Sequence, residues 1–313
     1  MKAILLEAAG GTDQLKYAEI ERPHPAPGEV LLRNEAVSVN PVDIKSRKGG
    51  AFFSKLAEAP PMILGWDVAG TVEAVGEGVE QWKIGDRLFG MVNFPGAGRA
   101  YAEYVVAPAN HFARIPDRIS TVEAAATTLA ALTAWQVLVH RGGLRAGQRV
   151  LVHAAAGGVG HFAVQIARAI GAEVMGTASA ANHDFLHSLG VTEAIDYHTQ
   201  DFRTLAHDID LVLDPVGGDT TLHSLDVLRP GGTVLSIVGG AKEPIAETAA
   251  QRGLRAENYL VQSSGADMED LARLLEAGRL KPVVEHTFSF AEMPDAHAQI
   301  ETGRTRGKVV VRI

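Results

Sequence analysis

A glycine-rich run near the middle of the chain carries the clearest chemical signal. Residues 153–160 read HAAAGGVG, which places small residues at Ala155, Gly157 and Gly160 in the spacing A-x-G-x-x-G. The apolar segment RVLVHA precedes the glycines, and an amphipathic segment follows them as far as Ile170. A strand, a glycine turn and a helix in this order are typical of a dinucleotide site, because small residues let the backbone approach a pyrophosphate. A turn with a purely structural role is the alternative.

The end of the next apolar segment bears on which dinucleotide such a site would take. Sites for NAD usually carry an acidic residue about 20 residues after the glycines, where it binds the ribose hydroxyls. Here the segment ends in Thr177, Ala178 and Ser179, without a carboxylate. We therefore expect NADPH rather than NADH, with Ser179, Asn182 and His183 nearest to the 2′-phosphate. No Arg or Lys lies in this loop, and Ser179 and Asn182 are equally suited to cap the following helix.

The elements around these residues predict two domains. Up to about residue 122, short apolar segments separated by Gly and Pro predict a β-rich domain, and beyond it strands alternate with helices, as in a doubly wound α/β domain with a parallel sheet. We assign residues 1–122 with 281–313 to the first domain and 123–280 to the second, with the C-terminal tail packing back onto the first. The predicted strands include 28–40, 67–79, 102–116, 149–154, 173–179, 193–197, 208–216, 232–239 and 258–264, and the predicted helices include 121–141, with Thr121 as its N-cap, 158–170 and 181–189.

The composition narrows the possible functions. Hydrophobic residues make up 46% of the chain and charged residues 21%, as in globular proteins. The net charge of −8 argues against a nucleic-acid or anionic-membrane partner, and no apolar run approaches the roughly 20 residues that span a bilayer. The N-terminus lacks the features of a signal peptide, so we expect a cytoplasmic protein. The sequence contains no Gly-x-Ser-x-Gly elbow and no Walker loop, so nothing supports a hydrolase.

The sequence gives little support for a metal site. The chain contains no cysteine, so thiolate ligands for zinc are excluded. His183 and His187 are four residues apart in a predicted helix, which could place them on one face. No third ligand is near them in the sequence. We therefore expect no bound metal.

Several motifs occur in one order along nearly the whole chain. They are VSVNPVDIKSRKG (37–49), LGWDVAGTVEAVGEGVEQWKIGDRLFGM (64–91), AYAEYVVAP (100–108), LTAW (132–135), HAAAGGVG (153–160), LDPVGG (213–218), LRPGGTVLSIVG (228–239) and ETGRTRGKVVVRI (301–313). By these motifs the chain resembles the medium-chain dehydrogenase/reductase superfamily, and within it the zinc-free quinone oxidoreductase group related to zeta-crystallin. The resemblance implies a GroES-like β-rich catalytic domain and a Rossmann domain that binds NADPH.

The resemblance also implies an activity and a set of site residues. Family members transfer a hydride from NADPH to quinones or to α,β-unsaturated aldehydes and ketones, with the nicotinamide in a cleft between the domains, and they are commonly dimers. Asn40, in the NPVD motif, would orient the substrate carbonyl while Asp43 holds that loop together, and Phe52 and Phe94 would line the substrate pocket. The implied cofactor residues are Thr133 near the nicotinamide, Gly157, Gly158, Val159 and Gly160 at the pyrophosphate, Ser179 and Tyr197 around the adenosine phosphate, and Val216, Gly217, Val238 and Gly239 at the strand ends.

The substrate region departs from the best-known members of the group. Some of them carry tyrosines just after the NPVD motif, whereas this chain has Lys45, Ala51, Phe52 and Phe53 there. The sequence therefore leaves the acceptor open, and water is expected to protonate the product because no side chain stands out as a proton donor. Two alternatives to a quinone or enone reductase remain. One is a zinc-free NAD(P)-dependent dehydrogenase of another small carbonyl or alcohol, and the other is an NADPH-binding protein of low turnover with a sensing or structural role.

Overall fold

A computed structural model of the chain describes all residues except Ala51 and Ala59, so Ala51 of the substrate region lies outside the described residues. The chain divides into two compact units, which we call unit 1 and unit 2. Unit 1 comprises residues 1–132, 262–278 and 282–313, and unit 2 comprises residues 133–261 and 279–281.

These units have different bounds from the predicted domains. Residues 123–132 and 262–278, which the sequence analysis assigned to the second domain, pack within unit 1. The backbone N–H of Leu129 donates a hydrogen bond to Asp67 Oδ1 (2.8 Å), which ties the first of these segments to unit 1. The second segment packs closely against unit 1 at Gly265, where a Cβ atom would lie 2.5 Å from a backbone carbonyl oxygen of that unit.

The described residues form fifteen strands and nine α-helices, with most of the strands before residue 120 following one another and strands and helices alternating beyond it. The strands are β1 (Lys2–Leu6), β2 (Leu15–Glu19), β3 (Glu29–Val39), β4 (Asp67–Val75), β5 (Arg87–Met91), β6 (Tyr104–Pro108), β7 (Ala113–Arg114), β8 (Arg149–Val152), β9 (Glu173–Ala178), β10 (Glu193–Asp196), β11 (Ile209–Asp214), β12 (Leu228–Ser236), β13 (Arg255–Asn258), β14 (Val284–Ser289) and β15 (Lys308–Arg312). The α-helices are α1 (Pro41–Arg47), α2 (Phe53–Ala57), α3 (Thr121–Trp135), α4 (Gly160–Ile170), α5 (His183–Leu189), α6 (Asp219–Ser224), α7 (Glu243–Gln251), α8 (Gly265–Glu276) and α9 (Met293–Glu301).

Unit 1 is built on a mixed seven-stranded sheet and a separate hairpin of β1 and β2. The sheet has the order β14-β15-β3-β4-β5-β7, with β6 also paired to β3. Its pairs are antiparallel except for β14 with β15. Strand β15 follows helix α9 and pairs with β3 in the register Val310 to Ser38. The C-terminal tail is therefore part of the sheet of unit 1.

Unit 2 contains a six-stranded sheet in the order β10-β9-β8-β11-β12-β13, and every pair in it is parallel. Relative to β8 this is the strand order 3-2-1-4-5-6 of a doubly wound Rossmann domain, which confirms the predicted fold class. Each strand contributes a buried apolar side chain to one core, which is why the strands are apolar in sequence. These side chains are Leu151, Met175, Ile195, Val212, Val234 and Ala256.

Three local predictions are wrong. The last strand of the parallel sheet is Arg255–Asn258, not 258–264, because its partner β12 ends at Ser236 and leaves the following residues without a ladder. The predicted strand 102–116 is two strands, β6 and β7, separated by a 3-10 turn. Helix α3 is capped by Ser120, not Thr121, because the Ser120 hydroxyl accepts the Glu123 N–H (3.2 Å) while the Glu123 carboxylate accepts the Ser120 N–H (2.9 Å).

Helix α3 continues as a π-helical segment, Gln136–Arg141. The 21-residue helical stretch Thr121–Arg141 has a mean hydropathy of 1.4 over its most apolar window, so by length and composition it could cross a membrane, contrary to the expectation from the sequence. Inside the fold, however, 78% of that window is buried, which is the position of a core helix. Burial therefore accounts for its apolar composition.

Candidate cofactor and substrate sites

The parallel sheet of unit 2 gathers most of the predicted cofactor residues at one edge. Strands β8 to β12 run in the same direction, so the segments that follow them leave the sheet on the same side. The chain reverses its direction of winding between β8 and β11, where open α/β sheets bind ligands. Thr133 lies instead within helix α3 and is 4% exposed. The residues at this edge are Gly157, Gly158, Val159 and Gly160 after β8, Ser179 after β9, Tyr197 after β10, Val216 and Gly217 after β11, and Val238 and Gly239 after β12.

The loop between β8 and α4 brings its backbone to the surface of this edge. A Cβ atom on Gly160 would lie 2.3 Å from the Ala154 carbonyl oxygen, so a side chain does not fit there. Ala154 has a φ of 46°, a left-handed conformation that costs free energy in a residue other than glycine. Among the described residues, no acceptor binds the N–H groups of Gly158, Val159 and Gly160. Together with the start of the 11-residue helix α4, these N–H groups can bind a phosphate.

The segment after β9 forms the corner predicted to hold a 2′-phosphate. The Ser179 hydroxyl accepts a hydrogen bond from Asn182 Nδ2 (3.1 Å), and neither side chain caps a helix through a hydrogen bond. Helix α5 begins at His183, whose side chain is half-buried. Tyr197, at the end of the neighbouring strand, is 58% exposed. The alternative role of Ser179 and Asn182 as helix caps is therefore not supported.

One carboxylate missed by the sequence analysis lies beside this corner. Asp196 ends β10 and is in register with Ala178, the residue before Ser179. The backbone N–H of His198 and the hydroxyl of Thr199 lower the pKa of Asp196. Its oxygens bind these two groups at 3.2 and 2.9 Å, so the carboxylate closes the turn after β10. Its negative charge lies near the predicted phosphate corner and opposes an anion there.

The loops after β11 and β12 face each other at the same edge. Asp214 Oδ1 accepts the backbone N–H groups of Val216 (2.8 Å) and Gly217 (3.0 Å), which fixes the first loop. A Cβ atom on Gly217 would lie 3.2 Å from Val238 Cγ2, so the two loops are in contact. Val216 and Val238 are 54% and 38% exposed. A cofactor bound at this edge would cover this apolar surface.

In unit 1, Asn40 lies at the start of helix α1 within a buried polar cluster. Its Nδ2 donates to Asp67 Oδ2 (2.7 Å) and to the Ser38 carbonyl oxygen (3.3 Å), and its Oδ1 accepts from Lys308 Nζ. Asn40 is 2% exposed. Both amide hydrogens are used inside the cluster, so none is left for a substrate carbonyl. The structure therefore does not give Asn40 the contact predicted for it.

Asp43 and Lys308 complete this cluster. Asp43 Oδ2 accepts the Asn40 backbone N–H (2.7 Å), so Asp43 holds the loop as predicted. Burial raises the pKa of Asp43 to about 7, against the opposing effects of the Asn40 N–H and the Lys308 ammonium group. Burial lowers the pKa of Lys308. The cluster thus places one ammonium group near the carboxyl groups of Asp43 and Asp67, and that of Asp43 titrates near neutral pH.

The two predicted substrate residues belong to an aromatic cluster in unit 1. The ring centroids of Phe52 and Phe94 are 5.2 Å apart, and both rings also pack edge to face against Trp66, at 6.2 and 5.3 Å. Trp66 donates a hydrogen bond through Nε1 to the Gly96 carbonyl oxygen (2.7 Å), which holds the loop that carries Phe94. The structure therefore brings Phe52 and Phe94 together, and Trp66 is an aromatic member that the sequence analysis missed.

The described residues do not fit a zinc ion. In the parts of the chain that the structure describes, no group of three or more His, Asp or Glu side chains lies together in a way that could hold a metal, and the sequence contains no cysteine. His183 begins helix α5 and His187 lies four residues further along it, where His187 Nδ1 is 3.1 Å from the Val191 carbonyl oxygen. The expectation that no metal binds stays a prediction.

Three buried residues that bind these loops together were not assigned from the sequence. Lys308 and Asp67 hold Asn40, and His153 lies under the glycine loop. Lys308 is 268 residues from Asn40 in the chain, so only the pairing of β15 with β3 brings them together. A lysine in the otherwise apolar run KVVV was the one sequence signal that could have indicated a buried charge.

Comparison with known families matches both units. Residues 26–117 match the model of the alcohol dehydrogenase GroES-like domain, which confirms the predicted fold of the first domain. Residues 189–311 match the model described as zinc-binding dehydrogenase. That second range contains no cysteine.

Individual relatives cover most or nearly all of the chain. Mouse mitochondrial NAD(P)H oxidoreductase RTN4IP1 is 32% identical over 92% of this chain and 82% of its own length. The 2-methylene-furan-3-one reductase of Solanum lycopersicum is 34% identical over 99% of this chain and 79% of its own length.

Solved structures agree with these relatives. The quinone oxidoreductase of Coxiella burnetii superimposes with a TM-score of 0.94 at 36% identity and covers 100% of this chain and 99% of its own. The Escherichia coli quinone oxidoreductase, solved with NADPH, has a TM-score of 0.87 at 28% identity, with full coverage of both chains. The chain therefore belongs to the medium-chain dehydrogenase/reductase superfamily, as an NAD(P)H-dependent oxidoreductase of its quinone oxidoreductase-like group.

Proposed function

We propose that the protein is an NADPH-dependent reductase that transfers a hydride to quinones or α,β-unsaturated carbonyl compounds without zinc. The observation that carries this proposal is the loop after β8, where Gly160 leaves no room for a side chain and the preceding N–H groups are free to bind a phosphate. The names of the relatives support the acceptor class, since they include quinone oxidoreductases and a furanone reductase.

When bound, NADPH supplies the hydride, and the protein contributes binding and orientation. The strand-end edge of unit 2 would hold the cofactor, and the N–H groups of Gly158, Val159 and Gly160 would bind its pyrophosphate. Phe52, the half-buried member of the aromatic cluster of unit 1, offers apolar surface to a flat acceptor. Asn40 acts as a positioning residue, because its side chain is fully used in holding the cluster of Asp67 and Lys308. Water protonates the product.

The buried cation of Lys308 supports the proposal that no zinc is needed. A metal in a carbonyl-reducing site stabilises developing negative charge on oxygen. In unit 1 the carboxyl groups of Asp43 and Asp67 already lie near the ammonium group of Lys308, and Asn40 Oδ1 accepts from it. A zinc ion would add a second cation beside an ammonium group. The carboxyl groups of this cluster therefore already have a cation near them and are not open ligands for zinc.

The absence of a carboxylate after β9 supports NADPH over NADH. Ser179 stands where an acidic residue would repel the 2′-phosphate, and Asn182 and His183 supply further polar groups at that corner. Asp196 opposes this preference, but its oxygens bind the turn after β10.

The enzymatic proposal is tested by cofactor oxidation with a panel of acceptors. Purified protein is given NADPH or NADH together with 1,4-benzoquinone, a 2-enal, a cyclic enone or a saturated ketone. We expect turnover with NADPH and at least one of the first three acceptors. Tight NADPH binding without turnover of any acceptor would instead favour a sensor, and reduction of the saturated ketone alone would favour a simple dehydrogenase.

The cofactor preference is tested by the Ser179→Asp variant. A carboxylate there would meet the 2′-phosphate and could bind ribose hydroxyls, so we expect NADPH affinity to fall by about tenfold or more, or roughly 1.4 kcal/mol, with NADH affinity retained or raised. Ser179→Ala is the matched control, since it removes the hydroxyl without adding charge. Equal effects of Ser179→Asp on both cofactors, measured by fluorescence titration, would contradict the assignment of this corner.

A further inference from the structure

His153 lies buried directly under the glycine loop of unit 2. It follows β8, is 2% exposed, and its ring packs edge to face on Phe202 with a centroid distance of 4.8 Å. Its Nδ1 lies 3.2 Å from Thr177 Oγ1 and its Nε2 lies 2.9 Å from Ser224 Oγ. The ring therefore connects the end of β9 to helix α6. No role for it follows from the proposed function.

The hydroxyl groups around His153 fix the direction of every hydrogen bond. Ser224 Oγ donates its single hydrogen to the Thr220 carbonyl oxygen (2.6 Å), so toward His153 it can only accept, and Nε2 must carry the proton. Burial lowers the pKa of His153 to about 4, so the ring is neutral and Nδ1 is an acceptor. Thr177 must then donate to Nδ1.

The same threonine holds the start of the glycine loop. Thr177 Oγ1 accepts the backbone N–H of Ala154 (3.2 Å), and the Thr177 carbonyl oxygen accepts the N–H of Ala155 (2.9 Å). Ala154 is the residue with the left-handed φ of 46°, and its carbonyl oxygen is the atom that leaves no space beside Gly160. The strained residue at the base of the loop is therefore held by a hydroxyl whose orientation is set by His153.

We propose that His153 is a positioning residue that holds the phosphate-binding loop in place for the cofactor. It does so through a directed chain of hydrogen bonds that runs from the Ala154 N–H through the Thr177 hydroxyl, the His153 ring and the Ser224 hydroxyl to the Thr220 carbonyl oxygen. The chain joins the loop after β8 to helix α6, which follows the loop of Val216 and Gly217. One side chain thus couples two of the loops at the cofactor edge. This inference rests on the proposed function for its link to NADPH.

The test compares Thr177→Val with Thr177→Ser. Valine has nearly the same shape but lacks the hydroxyl, so the Ala154 N–H loses its acceptor and His153 Nδ1 loses its donor. We expect the Kd for NADPH to rise by about tenfold in Thr177→Val and to stay within about twofold in Thr177→Ser. In the cofactor-free protein, amide hydrogen exchange of residues 154–160 should become faster in the valine variant alone.

Thr233→Val is the matched control. Thr233 is also 4% exposed on this sheet, and its hydroxyl accepts from Arg255 Nε (3.1 Å), away from the glycine loop. The Thr233→Val variant should leave both the NADPH Kd and the amide hydrogen exchange of residues 154–160 unchanged. Equal rises of Kd in Thr177→Val and Thr233→Val would show a merely structural role and overturn the inference.

His153→Phe and a double variant check the coupling itself. Phenylalanine keeps a ring against Phe202 but makes neither hydrogen bond, so we expect it to weaken NADPH binding about as much as Thr177→Val does. The double variant should bind no more weakly than either single one, because both break the same chain. Strictly additive effects would overturn the inference. If the wild type binds no NADPH, the proposed function fails, and the exchange rates of residues 154–160 alone decide the role of His153.

Discussion

Replacing Gly160 with alanine is expected to cause the largest loss of cofactor binding of any single methyl addition at the strand-end edge. The added Cβ would lie 2.3 Å from the Ala154 carbonyl oxygen and 2.7 Å from Ala155 Cα. Both are backbone atoms, so the loop itself must move, and with it the N–H groups that we propose bind the pyrophosphate. We expect the NADPH Kd to rise about a hundredfold, or roughly 2.7 kcal/mol, and the free energy of unfolding to fall by about 1–3 kcal/mol.

Gly157→Ala is the matched control within the same loop. Its Cβ would lie 3.2 Å from the same carbonyl oxygen, a distance that a small shift can accommodate. We therefore expect little change in the free energy of unfolding and a smaller change in Kd, measured by urea denaturation and fluorescence titration. A Gly160→Ala variant that is as stable as Gly157→Ala and binds NADPH like the wild type would contradict the structure of this loop.

Replacing Lys308 with methionine is expected to cause the largest loss of stability. Lys308 is 3% exposed, and its removal leaves the buried Asp67 and Asp43 without their cation. Breaking such a buried charge group by removing one partner costs about 3–5 kcal/mol. The loss should grow with pH, since the pKa of Asp43 is about 7 and its carboxyl group is neutral in acid but charged in base. We also expect kcat to fall, because Asn40 loses the bond that fixes its side chain.

Lys48→Met is the control for the removal of a lysine as such. Lys48 is 57% exposed and pairs with Glu301 at the surface, where such pairs contribute about 0–1 kcal/mol. The free energy of unfolding, measured by chemical denaturation at about pH 6 and about pH 8, distinguishes the two variants. If Lys308→Met lost no more stability than Lys48→Met, or lost more at the lower pH, the buried cluster would be wrongly assigned.

The cofactor edge could be predicted from the sequence because its signals are local. The glycines at 157 and 160 follow a strand and open a helix within one short stretch, and the apolar strands that flank them show that the sheet is parallel. In a parallel sheet the carboxyl ends of the strands lie at one edge, which brings Ser179 and Val216 to the same edge as the glycines. Family resemblance added the acceptor class, which no local pattern contains.

The buried polar groups could not be predicted because their partners are distant in sequence. His153 depends on Ser224, 71 residues away, and Asn40 depends on Lys308 at the other end of the chain. The family resemblance implied that the Asn40 amide orients the substrate carbonyl, but tertiary packing uses both amide hydrogens of Asn40 inside the fold. The strand placed at 258–264 failed for a related reason, since its extent is set by the length of β12 rather than by its own residues.

Isotope labelling tests the claim that this chain transfers a hydride from NADPH without zinc. Protein dialysed against a chelator and shown by elemental analysis to be metal-free is given NADPH with deuterium at both C4 positions of the nicotinamide and, in separate reactions, a cyclic enone or a quinone. We predict turnover at the rate of the undialysed protein, with deuterium on the β-carbon of the reduced enone whenever that acceptor is used. Turnover that disappears on dialysis and returns with zinc, or an enone product without deuterium, would contradict the claim.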